Sequence, residues 1–230
     1  MTHTDITCLI PAYNEAPRLR HVLAALSGHP LIARVIVIDD GSTDGTAEVA
    51  RAMGAEVLRL WPNRGKSTAV AHGLRHVTTS HVLLLDADLT GLRPGDVTRL
   101  IAPVRDGSAE ASLSLRGNAP RLWHWLGVDY ISGERVLPMA TLKGYEDAIA
   151  GLPRFGLEAF VNARLQAAGA SLCIVRWDGV ASPSKGAKRG RWAGFAADAA
   201  MIVDILRTVS APTIIRQIAF LRRAAQGPAR

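Results

Sequence analysis

Cysteine is scarce in this chain, and its scarcity removes whole classes of protein. Only Cys8 and Cys173 occur in 230 residues, each inside an apolar run. That excludes a disulfide-stapled scaffold and a cysteine-held metal cluster, and it fits buried free thiols in a reducing compartment. No apolar run approaches the roughly 20 residues a membrane-spanning helix needs. The opening MTHTDIT lacks a basic stretch followed by an apolar one, so secretion is not expected. The glycine fingerprint G-x-G-x-x-G is missing after the first apolar run, and G-x-x-x-x-G-K-[ST] is missing throughout. Arg64-Gly65-Lys66-Ser67 carries only the tail of the latter, which sets aside a dinucleotide enzyme or a P-loop ATPase. Without aromatic stacking platforms or a recognised module, nucleic acid is not expected as a partner.

What is present is enough apolar residue, 48%, for one generous domain or one domain with an appendage. The formal charge is +7, and it is confined to one end. Between residues 185 and 230 stand nine Lys or Arg and two acids, so the rest of the chain is formally neutral. A basic C-terminal fifth on a neutral body suggests a surface that meets polyanions, lipid headgroups above all.

Short apolar runs alternate with helical patterns. Strands are expected over Asp5 to Ile10, Val35 to Asp39, Glu56 to Leu60, Val82 to Asp86, Ala111 to Leu115 and Ser171 to Trp177, with helices between them. That alternation means right-handed βαβ units and an α/β fold with a mostly parallel sheet flanked by helices. The stretch SHVLLLDADLT, Ser80 to Thr90, is the centre of the pattern. Asp86-Ala87-Asp88 falls where a buried strand leaves the sheet, and at strand spacing both carboxylates point to one side and can share a hard cation. The alternative is one aspartate capping a turn and one in solvent.

Four segments in order resemble the family 2 glycosyltransferases of the GT-A fold: IPAYNEA, VIVIDDGSTDGT, NRGKSTAVAHGL and LLLDADL. The resemblance implies that Pro11, Ala12, Tyr13 and Glu15 line a nucleoside pocket and that Asp39 accepts from the base. Asp40 lies beside it as a loop former or ribose neighbour. Gly65 and Lys66 then stand near the base or phosphates, and Asp86, Ala87 and Asp88 face the donor diphosphate. Asp86 and Asp88 would hold Mg²⁺ or Mn²⁺ against it.

Beyond residue 119 the likeness is looser. Ser132-Gly133-Glu134-Arg135-Val136-Leu137 resembles the turn that faces sugar and acceptor in small members akin to dolichol-phosphate mannose synthases and glucosyl-3-phosphoglycerate synthases. Arg154-Phe155-Gly156-Leu157-Glu158 resembles their helix-opening element. Glu158, then Glu134, are the expected acid-base or acceptor-orienting residues, with Asp88 assisting and Glu146-Asp147 as another acid pair. Trp123 and Trp125 cover a sugar or simply pack. Lys185, Lys188, Arg189 and Arg191 form a basic loop, followed by amphipathic helices over Trp192 to Arg207 and Pro212 to Ala225.

The expectation is a transferase domain over 1–184, divided at 118 into donor and acceptor halves, with 185–230 as a basic appendage. The reaction moves a hexose from a UDP- or GDP-sugar to a lipid phosphate or lipid-linked acceptor at the inner membrane face. A soluble phosphorylated acceptor such as a phosphoglycerate, or a non-catalytic peripheral protein, is the alternative, and a homodimer is left open.

Overall fold

The computed structural model describes residues 5–153, 155–182, 205, 206 and 208–225. Seven strands form one sheet: β1 (Ile6–Ala12), β2 (Arg34–Asp40), β3 (Glu56–Leu60), β4 (His81–Leu84), β5 (Ala111–Arg116), β6 (Arg135–Pro138) and β7 (Leu172–Trp177). Their order is β3-β2-β1-β4-β6-β5-β7. Every pairing is parallel except those of β6, which runs antiparallel to β4 and β5. Residues 132–137 therefore hold more than the expected turn: a short reversed strand fills the slot between β4 and β5. It escapes an apolar-run reading because it has four residues and begins with an arginine.

Helices α1 (Ala16–Leu26), α2 (Thr46–Ala52), α3 (Lys66–Leu74) and α4 (Pro94–Arg105) cross over between the first five strands. Then come α5 (Arg121–Leu126), α6 (Glu146–Ala150), α7 (Gly156–Ala168) and α8 (Ala211–Ala225). Alternation along β1 explains how both faces of the sheet are covered. Ile6, Cys8 and Ile10 join Leu19, Val22, Val97 and Leu100 under α1 and α4, while Leu9 joins Val70 and Leu74 of α3. A strand buried on both sides reads as continuous apolar sequence, each buried Leu or Ile stabilising by about 1.5–3 kcal/mol.

Gly73 lets α3 settle onto the sheet, since a Cβ there would lie 2.7 Å from Ile38 Cδ1. Helix α8 lays Leu221 and Gln217 against the body, contacting α7 and β7, and turns Ile215, Arg216, Arg222 and Arg223 outward. Cys8 is buried but Cys173 is only half-buried. The basic loop from Lys185 and most of the helix expected over Trp192 to Arg207 lie outside the described residues.

Candidate active site

The C-terminal ends of β1, β2 and β3 meet in one row, because the parallel register sets Ala12 beside Asp39 and Asp39 beside Arg59. The loops leaving β1 and β2 are laced together by side chains. Asn14 N–H donates to Ser42 Oγ at 2.9 Å, Glu15 N–H to Thr46 Oγ1 at 3.0 Å and Ala16 N–H to Asp44 Oδ2 at 3.1 Å. Asn14 sits at φ 54° and accepts from Thr43 N–H at 2.9 Å. Asp44 is thus a loop brace. Inside the row, Asp39 is wholly buried; its Oδ1 accepts from Ser42 N–H at 2.9 Å, while Oδ2 has no hydrogen bond. Such an acceptor is costly to leave unmade.

Asp40 turns the other way and holds the loop after β3. Its two oxygens accept from Arg64 N–H at 2.9 Å and Gly65 N–H at 2.6 Å. Gly41 (φ +78°) permits this closeness, since a Cβ there would lie 2.8 Å from Asn63 N. The loop ends by delivering Lys66 as the first residue of α3. A lysine is unfavourable against the positive end of a helix dipole unless anions stand near. Two do: Lys66 Nζ lies 2.8 Å from Asp86 Oδ1 and 3.1 Å from Glu158 Oε1. Burial alone would lower the Lys66 pKa, but the Asp86 and Glu158 carboxylates outweigh it and raise it well above the ordinary lysine value.

Strand β4 stops at Leu84, so Asp86 and Asp88 ride on the turn beyond it. Strand alternation therefore does not orient this pair, as the sequence led one to expect, and the two carboxylates take different partners. Asp86 is held by Lys66 and lies under Gly133, where a Cβ would come within 2.7 Å of its carboxylate oxygens. Burial works to raise the Asp86 pKa, yet Lys66 and Arg116 hold it below the usual aspartate value. Asp88 accepts from Ser182 Oγ at 3.3 Å. Its pKa is raised, first by burial and then by the charge of Asp86.

Ser182 is a residue the sequence did not single out. A bridge between Thr90 and Ala181 brings it in, and its Oγ also accepts from Arg116 Nη1 at 2.5 Å. Glu134 lies beneath the Gly133 turn, fully buried, with Oε2 accepting from Ser114 Oγ at 2.6 Å and Oε1 at 3.6 Å from Arg116. Its pKa is raised, chiefly by burial. A cavity of about 10 Å³ lies between Pro11, Lys66, Asp86, Gly133, Arg135 and Glu158.

This cluster lies on one edge of a largely parallel sheet, and known proteins share that arrangement of chain. The family model described as Glycosyl transferase family 2 matches residues 7–127, just over half the chain. The chain belongs to glycosyl transferase family 2. A 4,4'-diaponeurosporenoate glycosyltransferase of Staphylococcus aureus (strain bovine RF122 / ET3-1) is 40% identical over 104 residues, 43% of this chain. That stretch is only 28% of the relative's length. Among solved structures, glucosyl-3-phosphoglycerate synthase from Mycobacterium tuberculosis with Mn²⁺ and UDP-glucose superposes with a TM-score of 0.68 at 24% identity, over 89% of this chain and 79% of that one. The same enzyme with phosphoglyceric acid gives 0.66 at 22% identity, over 98% and 81%. These likenesses establish the GT-A fold.

The other residues expected to matter in this family 2 chain are dispersed around the cluster. Pro11 lines the cavity, Tyr13 is 49% exposed beside the laced loops, and Glu15 pairs with Arg18 at 2.6 Å. Ala87 is buried between the two aspartates. Glu146 and Asp147 open α6 away from Lys66, with Asp147 bound to Arg75 at 2.6 Å. Trp123 packs beside Tyr130 in the core, whereas Trp125 is 79% exposed. Between them, His124 is partly buried, its Nε2 3.2 Å from Gly117 O.

Proposed function

We propose that this chain is a nucleotide-sugar-dependent hexosyltransferase whose donor is a UDP- or GDP-sugar. The observation that carries the reading is the buried Asp39 Oδ2, ion-paired to Arg59 at 3.2 Å but without a hydrogen bond, in the same row as Ala12 and next to a half-buried cluster of Lys66, Asp86, Asp88 and Glu158. The first is an acceptor awaiting a base N–H. The second is a charged edge suited to a diphosphate and a sugar.

The donor set suits a hard divalent cation. Asp88 offers carboxylate oxygens beside Asp86, and burial and the Asp86 charge, only partly offset by Arg116 and Arg18, raise its pKa. Asp88, with Asp86 behind it, would hold Mg²⁺ or Mn²⁺, which when bound neutralises charge on the departing nucleoside diphosphate. The chain's own groups do the rest. Asp39 binds the base, and Asp40 fixes the loop that presents Lys66. Lys66 draws Asp86 and Glu158 together, and Glu158 orients the sugar or the acceptor hydroxyl. Glu134 supports the Gly133 turn from below.

The acceptor is a lipid phosphate or lipid-linked molecule, met through the basic 185–230 segment of an otherwise neutral 1–184 transferase unit. The outward Arg216, Arg222 and Arg223 of α8 support electrostatic contact with an anionic membrane. Its apolar face is already spent on α7 and β7. No helix among the described residues is long and apolar enough to cross a membrane. A small phosphorylated acceptor is the second reading. It is favoured by Arg135, which lines the cavity beside Lys66 and Gly133 and is held there by the oxygens of Ser132, Asn162 and Tyr130.

Thermal-shift titration with UDP and GDP, with and without Mn²⁺, tests the reading. A Mn²⁺-dependent shift that Asp88→Ala removes is expected. Equal behaviour of variant and parent would overturn the metal assignment, and the absence of any nucleotide shift would overturn the donor site.

A further inference from the structure

Arg59 belongs to none of the motifs above, yet it stands next to Asp39 in the row across β2 and β3. Its Nε lies 3.2 Å from Asp39 Oδ2, too poorly aligned for a hydrogen bond, and its Nη2 donates to Ser42 O at 3.1 Å. Nη1 has no partner among the described residues, and the side chain is 48% exposed. Ser42 fixes the geometry from both sides, because its N–H occupies Asp39 Oδ1 while its carbonyl anchors the arginine. The edge therefore sets one carboxylate oxygen, ion-paired but without a hydrogen bond, beside a half-exposed guanidinium donor.

We propose that Arg59 is a specificity-determining residue that reads the nucleobase together with Asp39 and selects uracil. This rests on the reading of Asp39 as the base acceptor. Uracil presents an imino N–H flanked by carbonyl oxygens, so the N–H meets Oδ2 while a carbonyl meets the guanidinium. Cytosine presents a ring-nitrogen lone pair and an amino group, which set acceptor against acceptor and donor against donor. Guanine presents its N–H beside an amino group that needs a second acceptor, and the second oxygen of Asp39 is already taken. Desolvated mismatches of this kind are what give polar sites their discrimination.

The test is calorimetric binding of UDP, GDP, CDP, 2-thio-UDP and 4-thio-UDP to the full chain and to Arg59→Met, Arg59→Lys and Asp39→Asn. The parent should favour UDP over GDP and CDP by about tenfold or more, and Arg59→Met should weaken UDP about tenfold, the equivalent of about 1.4 kcal/mol. One thio analogue should bind the parent more weakly than UDP and lose that penalty in Arg59→Met, a coupling that a purely structural arginine would not produce. Arg59→Lys, which keeps a donor and guards against loss of folding, should recover part of the affinity. An unchanged thio penalty in Arg59→Met overturns the role of Arg59. If Asp39→Asn still abolishes the preference for UDP, the donor reading survives that failure. A parent that binds no nucleotide overturns both.

Discussion

Replacing Lys66 with methionine removes the ammonium that bridges Asp86 and Glu158. Both carboxylates lie within 2.8 and 3.1 Å of the same nitrogen, so without it two acids face each other across at most about 6 Å. Each contact is worth about 5–6 kcal/mol of gross attraction at an effective dielectric of about 20. Desolvation offsets most of that. Breaking a buried pair costs about 3–5 kcal/mol, and because the Lys66 side chain is 40% exposed we scale this to about 2 kcal/mol. For a chain of this size the melting temperature should fall by about 4–8 °C at neutral pH.

The pH dependence carries the sharper signature. In the parent the Asp86 pKa is held below its ordinary value by Lys66 and Arg116 against burial, so its contribution is complete above that value and fades as pH drops beneath it. Without the lysine, burial works to raise that carboxyl's pKa, and its contribution is lost as pH rises instead. The gap between parent and Lys66→Met should therefore be widest at neutral pH and close below about pH 4. Thermal melts followed by circular dichroism across that range measure it. Equal melting temperatures at neutral pH, or a gap that persists in acid, would refute the reasoning.

Gly133→Ala forces a methyl to within 2.7 Å of the Asp86 carboxylate and should destabilise by about 1–3 kcal/mol in urea titration; no change would mean the turn yields freely. Asp40→Ala leaves the Arg64 and Gly65 amides unpaired, so cleavage by a protease at residues 61–65 should quicken with a stability loss of about 1–3 kcal/mol. Tyr130→Phe removes the 2.7 Å hydrogen bond to Gln217 and should cost about 1 kcal/mol, seen as faster hydrogen exchange in α8.

Much of the fold was legible because the central strands are apolar on both faces. Residues 56–60 were placed to the residue, and β1, β2 and β5 to within two residues at each end. β6 was not legible, since Arg135 at its start is buried by hydrogen bonds to Ser132, Asn162 and Tyr130 that only the folded chain assembles. The same limit applies within the site. Lys66, Asp86 and Glu158 come from recognisable segments and meet at a single nitrogen, as their chemistry would suggest. Arg59, Arg116 and Ser182 come from a strand interior, a strand end and a loop, and nothing in their spacing announces that they share neighbours with Asp39 and Asp88.

Because β6 enters the sheet upside down, its beginning stands at the edge where its neighbours finish, and the Gly133 bend arrives over Asp86 from the opposite direction. Pairing on both flanks leaves that segment no freedom to slide. Deleting or adding one residue between the Ser132 bend and Pro138 would exchange the faces on which Arg135 and Val136 project, driving the guanidinium among aliphatic side chains and taking from Asn162 Oδ1 the donor it holds. Variation among such chains should therefore collect in the loops at either end of this ribbon and spare its length.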